Sequence, residues 1–220
     1  MKRRLSHMTS LNSGNQKYGR RRDGALENIH NNSIDVKRRI IYIHSEMESE
    51  ESGVDFRMAV NVVKNLDYLN SISNQPITLK MLSFGGSWNY GMAIYDAIRK
   101  SKSYITFISY GYASSMSSVI PQAANKRLIN MHCDFMIHYG TYEDSGDFRQ
   151  VANGVKFTEK QNDIMLNIYA ARCMKGEYFR EKQMDHKKTF NYIKNKIDKL
   201  TDWWMTAEEA VYYGFMDRVI

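Results

Sequence analysis

Between Tyr104 and Gln122 the chain reads Y-I-T-F-I-S-Y-G-Y-A-S-S-M-S-S-V-I-P-Q, and this stretch limits the possible folds more tightly than its neighbours do. The β-branched and aromatic residues from Tyr104 to Tyr110 predict a buried strand that breaks at Gly111. A run of small residues then leads into a helix expected over about Met116 to Asn125. A strand, a tight turn and a helix N-terminus suit a nucleophilic serine: the turn exposes the hydroxyl, and the unpaired N–H groups of the first helical turn can hold an oxyanion. The same stretch also fits a small-residue helix packed closely on a sheet, and taken alone it does not choose between them.

The pattern recurs upstream. Arg39 to His44 is a compact apolar run that predicts the first buried strand. After an acidic loop, Met47 to Gly53, a helix is expected from Val54 to about Asn70, with Phe56, Ala59, Val60, Val63 and Leu66 on its inner face. Ile77 to Leu82 predicts a second strand, ending at Ser83-Phe84-Gly85-Gly86-Ser87, and a helix follows with Ile94, Ala97 and Ile98 inward and Arg99 and Lys100 in its last turn. Paired glycines between strand and helix allow positive φ and close approach to a ligand, although most such pairs only close a turn.

Downstream, Leu128 to Asn130 and Cys133 to His138 predict two short strands. His138 closes the second, where strand ends line clefts, and a structural histidine is the competing reading. Ile164, Leu166, Ile168 and Ala171 mark a long helix from Phe157 to about Lys175, expected for core or subunit-contact packing. A polar stretch, Gly176 to Lys188, precedes a helix from Thr189 to Leu200. A capping pattern, Thr206 to Glu209, then opens a short helix ended by Gly214, before a last strand, Met216 to Ile220. Strands alternating with helices across small-residue turns imply an α/β fold of short, largely parallel strands with helices outside.

Charge narrows the partners. The formal net charge is +7. Lys2, Arg3, Arg4, Lys17, Arg20, Arg21 and Arg22 carry all of that excess, so the chain beyond them is neutral and a nucleic-acid face on the folded part loses its support. Residues 1 to 34 are expected as a basic, flexible arm, with an organelle transit peptide as the competitor. No run matches a membrane span or a secretory signal, so no membrane partner and a cytoplasmic setting are expected. Cys133 and Cys173 are expected as buried free thiols, and neither a metal nor a cofactor is called for.

Acyl transfer requires a hydroxyl, a base, a carboxylate to orient the base, and oxyanion donors. Ser115, His138, Asp202 and the backbone amides of Gly86 and Met116 supply these types at turns or strand ends, although Ser114, Ser117 and Ser118 compete for the first role. The order Ser, His, Asp differs from those of chymotrypsin, subtilisin and the α/β-hydrolases.

Gly85-Gly86, Gly111-Tyr-Ala-Ser-Ser115-Met116, Met136-Ile137-His138, Asp202-Trp-Trp-Met-Thr-Ala207 and Gly214-Phe-Met-Asp217-Arg-Val219 follow one another as the motifs of the Clp protease proteolytic subunit (ClpP) family do. Over about residues 35 to 220 the chain resembles that family. The resemblance implies a ClpP/crotonase-like spiral of repeated β-β-α units. It also implies a serine endopeptidase with Ser115 as nucleophile, His138 as general base, Asp202 orienting it, and Gly86 and Met116 as oxyanion donors. It further implies stacked heptameric rings or a mixed ring, cleavage of unfolded polypeptide, and an ATP-driven AAA+ unfoldase as partner. The long helix would lie between rings and the basic arm near an axial entrance. A non-cleaving subunit of a mixed ring, a capsid-maturation peptidase and a crotonase-type enzyme handling acyl-CoA are the alternatives. Departures from the family pattern are Phe84 in place of proline, Tyr139-Gly140 in place of Gln-Pro, a longer separation of His138 from Asp202, and Thr78 and Lys80 where relatives carry docking aromatics.

Overall fold

The structure, a computed structural model, describes residues 16–44 and 53–220. Most of the expected acidic loop and the first part of the basic arm lie outside these residues. Within the segment expected as an arm, Gln16–Asn32 forms a helix, α1. The chain continues through β1 (Ile34–Asp35), β2 (Ile40–His44), α2 (Phe56–Ile72), β3 (Ile77–Ser83), α3 (Trp88–Lys100) and β4 (Ile105–Ser114). Next come α4 (Met116–Val119), a 3-10 turn (Ile120–Ala123), β5 (Lys126–Ile129), β6 (Asp134–Ile137), α5 (Phe148–Cys173) and α6 (Glu177–Glu181). The last elements are α7 (His186–Leu200), β7 (Trp203–Met205), α8 (Ala207–Tyr212) and β8 (Arg218–Val219).

One sheet runs β1-β2-β3-β4-β5-β8, with β6 branching from β4 and carrying β7. β2, β3, β4 and β5 pair in parallel, as crossover helices on a sheet require. β3 buries Ile77, Leu79, Met81 and Ser83 on one face and leaves Thr78 and Lys80 half-buried on the other. Ile41, Ile43, Leu66, Leu69, Leu79 and Phe107 are among the largest wholly buried side chains, each stabilising the fold by roughly 1.5–3 kcal/mol.

The sheet branches inside β4. The expected strand end at Gly111 is corrected: the strand bends there and continues to Ser114. Met81 pairs with Ser109 and Ser83 with Ala113, so β4 carries two more residues than β3 over this span. Gly111, at φ 57, absorbs the surplus as a bulge. Before the bulge β4 pairs with β5; after it, Tyr112 to Ser114 pair with Asp134 to Met136 of β6. The chain thereby changes sheet neighbour just before Ser115.

Other boundaries shift for local reasons. The buried face of α2 is Met58, Ala59, Val62, Leu66 and Leu69, whereas Phe56 is exposed and packs edge-on against Tyr90. The Asp55 side chain caps this helix by accepting from the Met58 N–H at 2.7 Å. The helix expected to Asn125 is a single α turn that tightens into the 3-10 turn containing Pro121. α5 begins at Phe148, earlier than the apolar pattern suggests, because Asp147 and Gln150 form a reciprocal capping box. Its C-terminal half buries Met165, Leu166, Tyr169, Ala170 and Cys173, while Phe148, Val155 and Phe157 remain exposed. The polar stretch after it folds as α6 and the first turn of α7, anchored by the wholly buried Phe179.

Candidate active site

β4 ends on Ser114, and Ser115 turns the chain into α4 with φ 54 and ψ −127. A side chain rarely adopts this conformation, which costs on the order of 1–3 kcal/mol and persists only where neighbours impose it. Here the Ser115 N–H donates to the Met136 carbonyl at 3.0 Å, and the Ser115 carbonyl accepts from the Ser118 N–H at 2.9 Å. The Ser118 hydroxyl bonds the same carbonyl and meets the Tyr169 hydroxyl at 2.6 Å. Ser114, Ser117 and Ser118 are buried. Ser115 is the serine of this run that lines the cavity described below.

The β6–β7 ladder brings up the other two side chains. Ile137 pairs with Trp203 in antiparallel register, so His138 and Asp202, one step further along each strand, come opposite one another. His138 Nδ1 lies 3.1 Å from Asp202 Oδ1, and His138 Nε2 lies 2.8 Å from Ser115 Oγ. A carboxylate can only accept, so a neutral imidazole in this arrangement donates from Nδ1 and accepts the Ser115 proton at Nε2. Sixty-four residues separate the histidine from the aspartate, and the ladder closes that gap.

The paired glycines shape the opposite wall. Gly85 and Gly86 have φ of 114 and 141. A Cβ on Gly85 would stand 2.5 Å from the Ser115 Cβ, and one on Gly86 would stand 2.4 Å from the Val54 nitrogen. Val54 donates to the Gly85 carbonyl at 2.6 Å and accepts from the Ser87 N–H at 2.9 Å. The Gly86 N–H takes no part in that bridge. Met116 is the first residue of α4, so its N–H has no partner within the helix. Gly86, Met116, Ser115 and His138 line one cavity of about 480 Å³.

Trp88, Val119 and Met165 supply apolar lining to this cavity, and Tyr142, Gln161 and Asn162 supply polar lining. The apolar periodicity of α5 signals packing alone; its part in the cavity wall has no local signal in the sequence. Phe84 packs against Tyr112 with ring centroids 4.3 Å apart and planes tilted by 37°. Lys80 lies over the Tyr42 ring, 5.8 Å from its centroid. Both cysteines are free and buried, as expected. Burial pushes the Cys133 thiol up to about 12 and raises that of Cys173, so neither offers a thiolate nucleophile near neutral pH. Among the described residues there is no cluster of potential metal ligands, and no helix is long and apolar enough to cross a membrane.

The Clp protease family model matches residues 29–220. The chain belongs to the Clp protease family. The match begins within the last turn of α1, a few residues before the resemblance seen in the motifs. Similar relatives include the ATP-dependent Clp protease proteolytic subunit 3 of Synechococcus sp. (strain CC9902), 32% identical over 83% of this chain and 82% of its own length. The ATP-dependent Clp protease proteolytic subunit of Deinococcus radiodurans is 30% identical over 84% of this chain and 81% of its own length. Among solved structures, a ClpP1 mutant from Listeria monocytogenes superposes with a TM-score of 0.67 at 23% identity, covering 84% of this chain and 92% of that one. The fold is therefore the ClpP spiral expected from the motifs.

Proposed function

We propose that the chain is a serine endopeptidase that hydrolyses unfolded polypeptides through Ser115, His138 and Asp202. The observation that carries this reading is the hydrogen-bonded run from Asp202 through His138 to Ser115, with spacings of 3.1 and 2.8 Å, inside a cavity also lined by Gly86 and Met116. In the reaction Ser115 Oγ attacks the substrate carbonyl while His138 Nε2 takes its proton, and Asp202 stabilises the imidazolium that results. The carbonyl oxygen becomes an oxyanion facing the Gly86 and Met116 N–H groups, each contributing about 3–4 kcal/mol of transition-state stabilisation. Collapse expels the amine, which takes the proton back from His138. Water then repeats the sequence on the acyl-enzyme, releasing the acid and restoring Ser115.

The same reading extends to assembly. α5 leaves Phe148 and Val155 exposed on one side and Phe157 on the other, apolar side chains suited to contact between stacked heptameric rings. Enclosure of the site in such a chamber, in a cytoplasmic setting, would restrict cleavage to chains delivered unfolded by an ATP-driven AAA+ partner. The basic arm would lie near the axial entrance. A fluorophosphonate should label Ser115, and Ser115→Ala should abolish peptide cleavage while native mass spectrometry shows an unchanged assembly. Cleavage that survives this substitution would eliminate the mechanism.

A further inference from the structure

Tyr139 stands directly after His138. Its hydroxyl donates to Asp198 Oδ1 at 2.9 Å, and Lys194 Nζ holds the other oxygen of that carboxylate at 2.8 Å. Asp198 lies on the last turn of α7, four residues before Asp202. The Tyr139–Asp198 bond thus ties together the same two chain segments as the His138–Asp202 bond. On the other side of that contact the Ile137–Trp203 ladder pair does the same. Beyond it the ladder stops, because Thr201 turns the chain at φ 63. Without the tyrosine the His138–Asp202 contact would be braced from one side only.

Protonation favours the bond near neutral pH. Burial, followed by the hydrogen bond to Asp198, pushes the Tyr139 hydroxyl up to about 12, so it remains a donor. The hydrogen bonds from Lys194 and then Tyr139 hold the Asp198 carboxyl below its ordinary value, so it remains a charged acceptor. Such charge-assisted bonds are the stronger class.

We propose that Tyr139 is a positioning residue: its hydroxyl, anchored on Asp198, keeps the His138 imidazole aligned with the Asp202 carboxylate. This rests on the serine peptidase reading. Tyr139→Phe, which removes only the oxygen, lowers kcat for a short peptide and the rate of fluorophosphonate labelling roughly three- to tenfold, with KM unchanged. Asp198→Ala gives the same loss, Asp198→Asn retains an acceptor and most of the rate, and the Tyr139→Phe, Asp198→Ala double variant is no slower than either single one. In an Asp202→Ala background Tyr139→Phe has no further effect, since there is no alignment left to lose. A crystal structure of Tyr139→Phe shows His138 Nδ1 withdrawn from Asp202 Oδ1, a readout that needs no cleavage. Wild-type rates in Tyr139→Phe, an equal loss in the Asp202→Ala background, or an undisturbed His138–Asp202 contact in that crystal each overturn the proposal. Absence of labelling and cleavage in the assembled wild-type protein would instead overturn the peptidase reading, leaving the crystallographic test of the tyrosine to stand alone.

Discussion

Replacing Asp217 by alanine should destabilise the protein strongly at neutral pH and much less in acid. Arg127 on β5 has a side chain only 6% exposed, against 35% for Asp217 just before β8. The Arg127 N–H donates to Asp217 Oδ2 at 2.7 Å and Nε to Oδ1 at 3.2 Å, with Nη2 reaching the same oxygen. Nη1 donates to Gln122 Oε1 at 2.6 Å and to the carbonyls of Gly214 and Phe215 at 3.0 Å each. Asp217→Ala would remove the counter-charge and leave Nε, Nη2 and the backbone N–H of Arg127 without their acceptor. Breaking a fully buried pair costs about 3–5 kcal/mol; because the Asp217 carboxylate is partly solvated, a smaller loss of about 2–3 kcal/mol applies here. For a chain of this size that corresponds to a fall in Tm of roughly 5–10 °C.

The pH dependence follows from the carboxyl. Burial acts to raise it, but the hydrogen bonds and charge of Arg127 outweigh burial and hold it below the usual carboxylate value. A depressed folded-state value adds stability that is complete above about pH 4, the ordinary carboxylate range, and is lost as pH falls through the folded value. The gap in Tm between wild type and Asp217→Ala, followed by calorimetry, should therefore be widest at pH 6 to 7 and narrow below pH 4. An equal gap at both extremes, or none at neutral pH, would refute the reasoning.

On the proposed mechanism Gly85→Ala should lower peptide cleavage by about a hundredfold or more, since its Cβ would stand 2.5 Å from that of Ser115 at a φ of 114 and would displace both Ser115 and the adjoining Gly86 N–H, and misplacing one oxyanion donor costs about that much; rate assays on protein with native circular dichroism would test it. If the proposed triad operates, Asp202→Asn should reduce kcat by about 10³–10⁴-fold with little change in KM, because an amide at that position favours the wrong imidazole tautomer; stopped-time peptide assays decide this. In native protein at pH 8 neither Cys133 nor Cys173 should react with a thiol reagent, since burial raises both, and both should react in denaturant.

Much of the fold is legible in the sequence because strand and helix periodicities are local. The apolar runs Arg39 to His44 and Ile77 to Leu82 form β2 and β3 as expected, and Thr206 caps α8 with Glu209 as the pattern requires. Phase and boundaries depend on neighbours. The inner face of α2 is set by the sheet it covers, and that leaves Phe56 outside. The run of β4 past Gly111 depends on pairing with β6, which begins 20 or more residues later. No periodicity within either segment reports that pairing.

What the chain decides by itself is chemical and local: which residue types can end a strand, where glycine permits an unusual turn, and which five motifs follow in order. Composition also locates the charge excess in residues 1 to 22, before any folding. Which of the four serines within five residues faces the cavity, however, is decided by the tertiary structure, because the bulge in β4 and the turn at φ 54 put Ser115 there and bury Ser114, Ser117 and Ser118. The ladder between β6 and β7 likewise brings His138 to Asp202, and Tyr139 to Asp198, across more than fifty residues of intervening chain. Contacts between distant segments are set by sheet register, a property of pairs of strands that neither strand encodes alone.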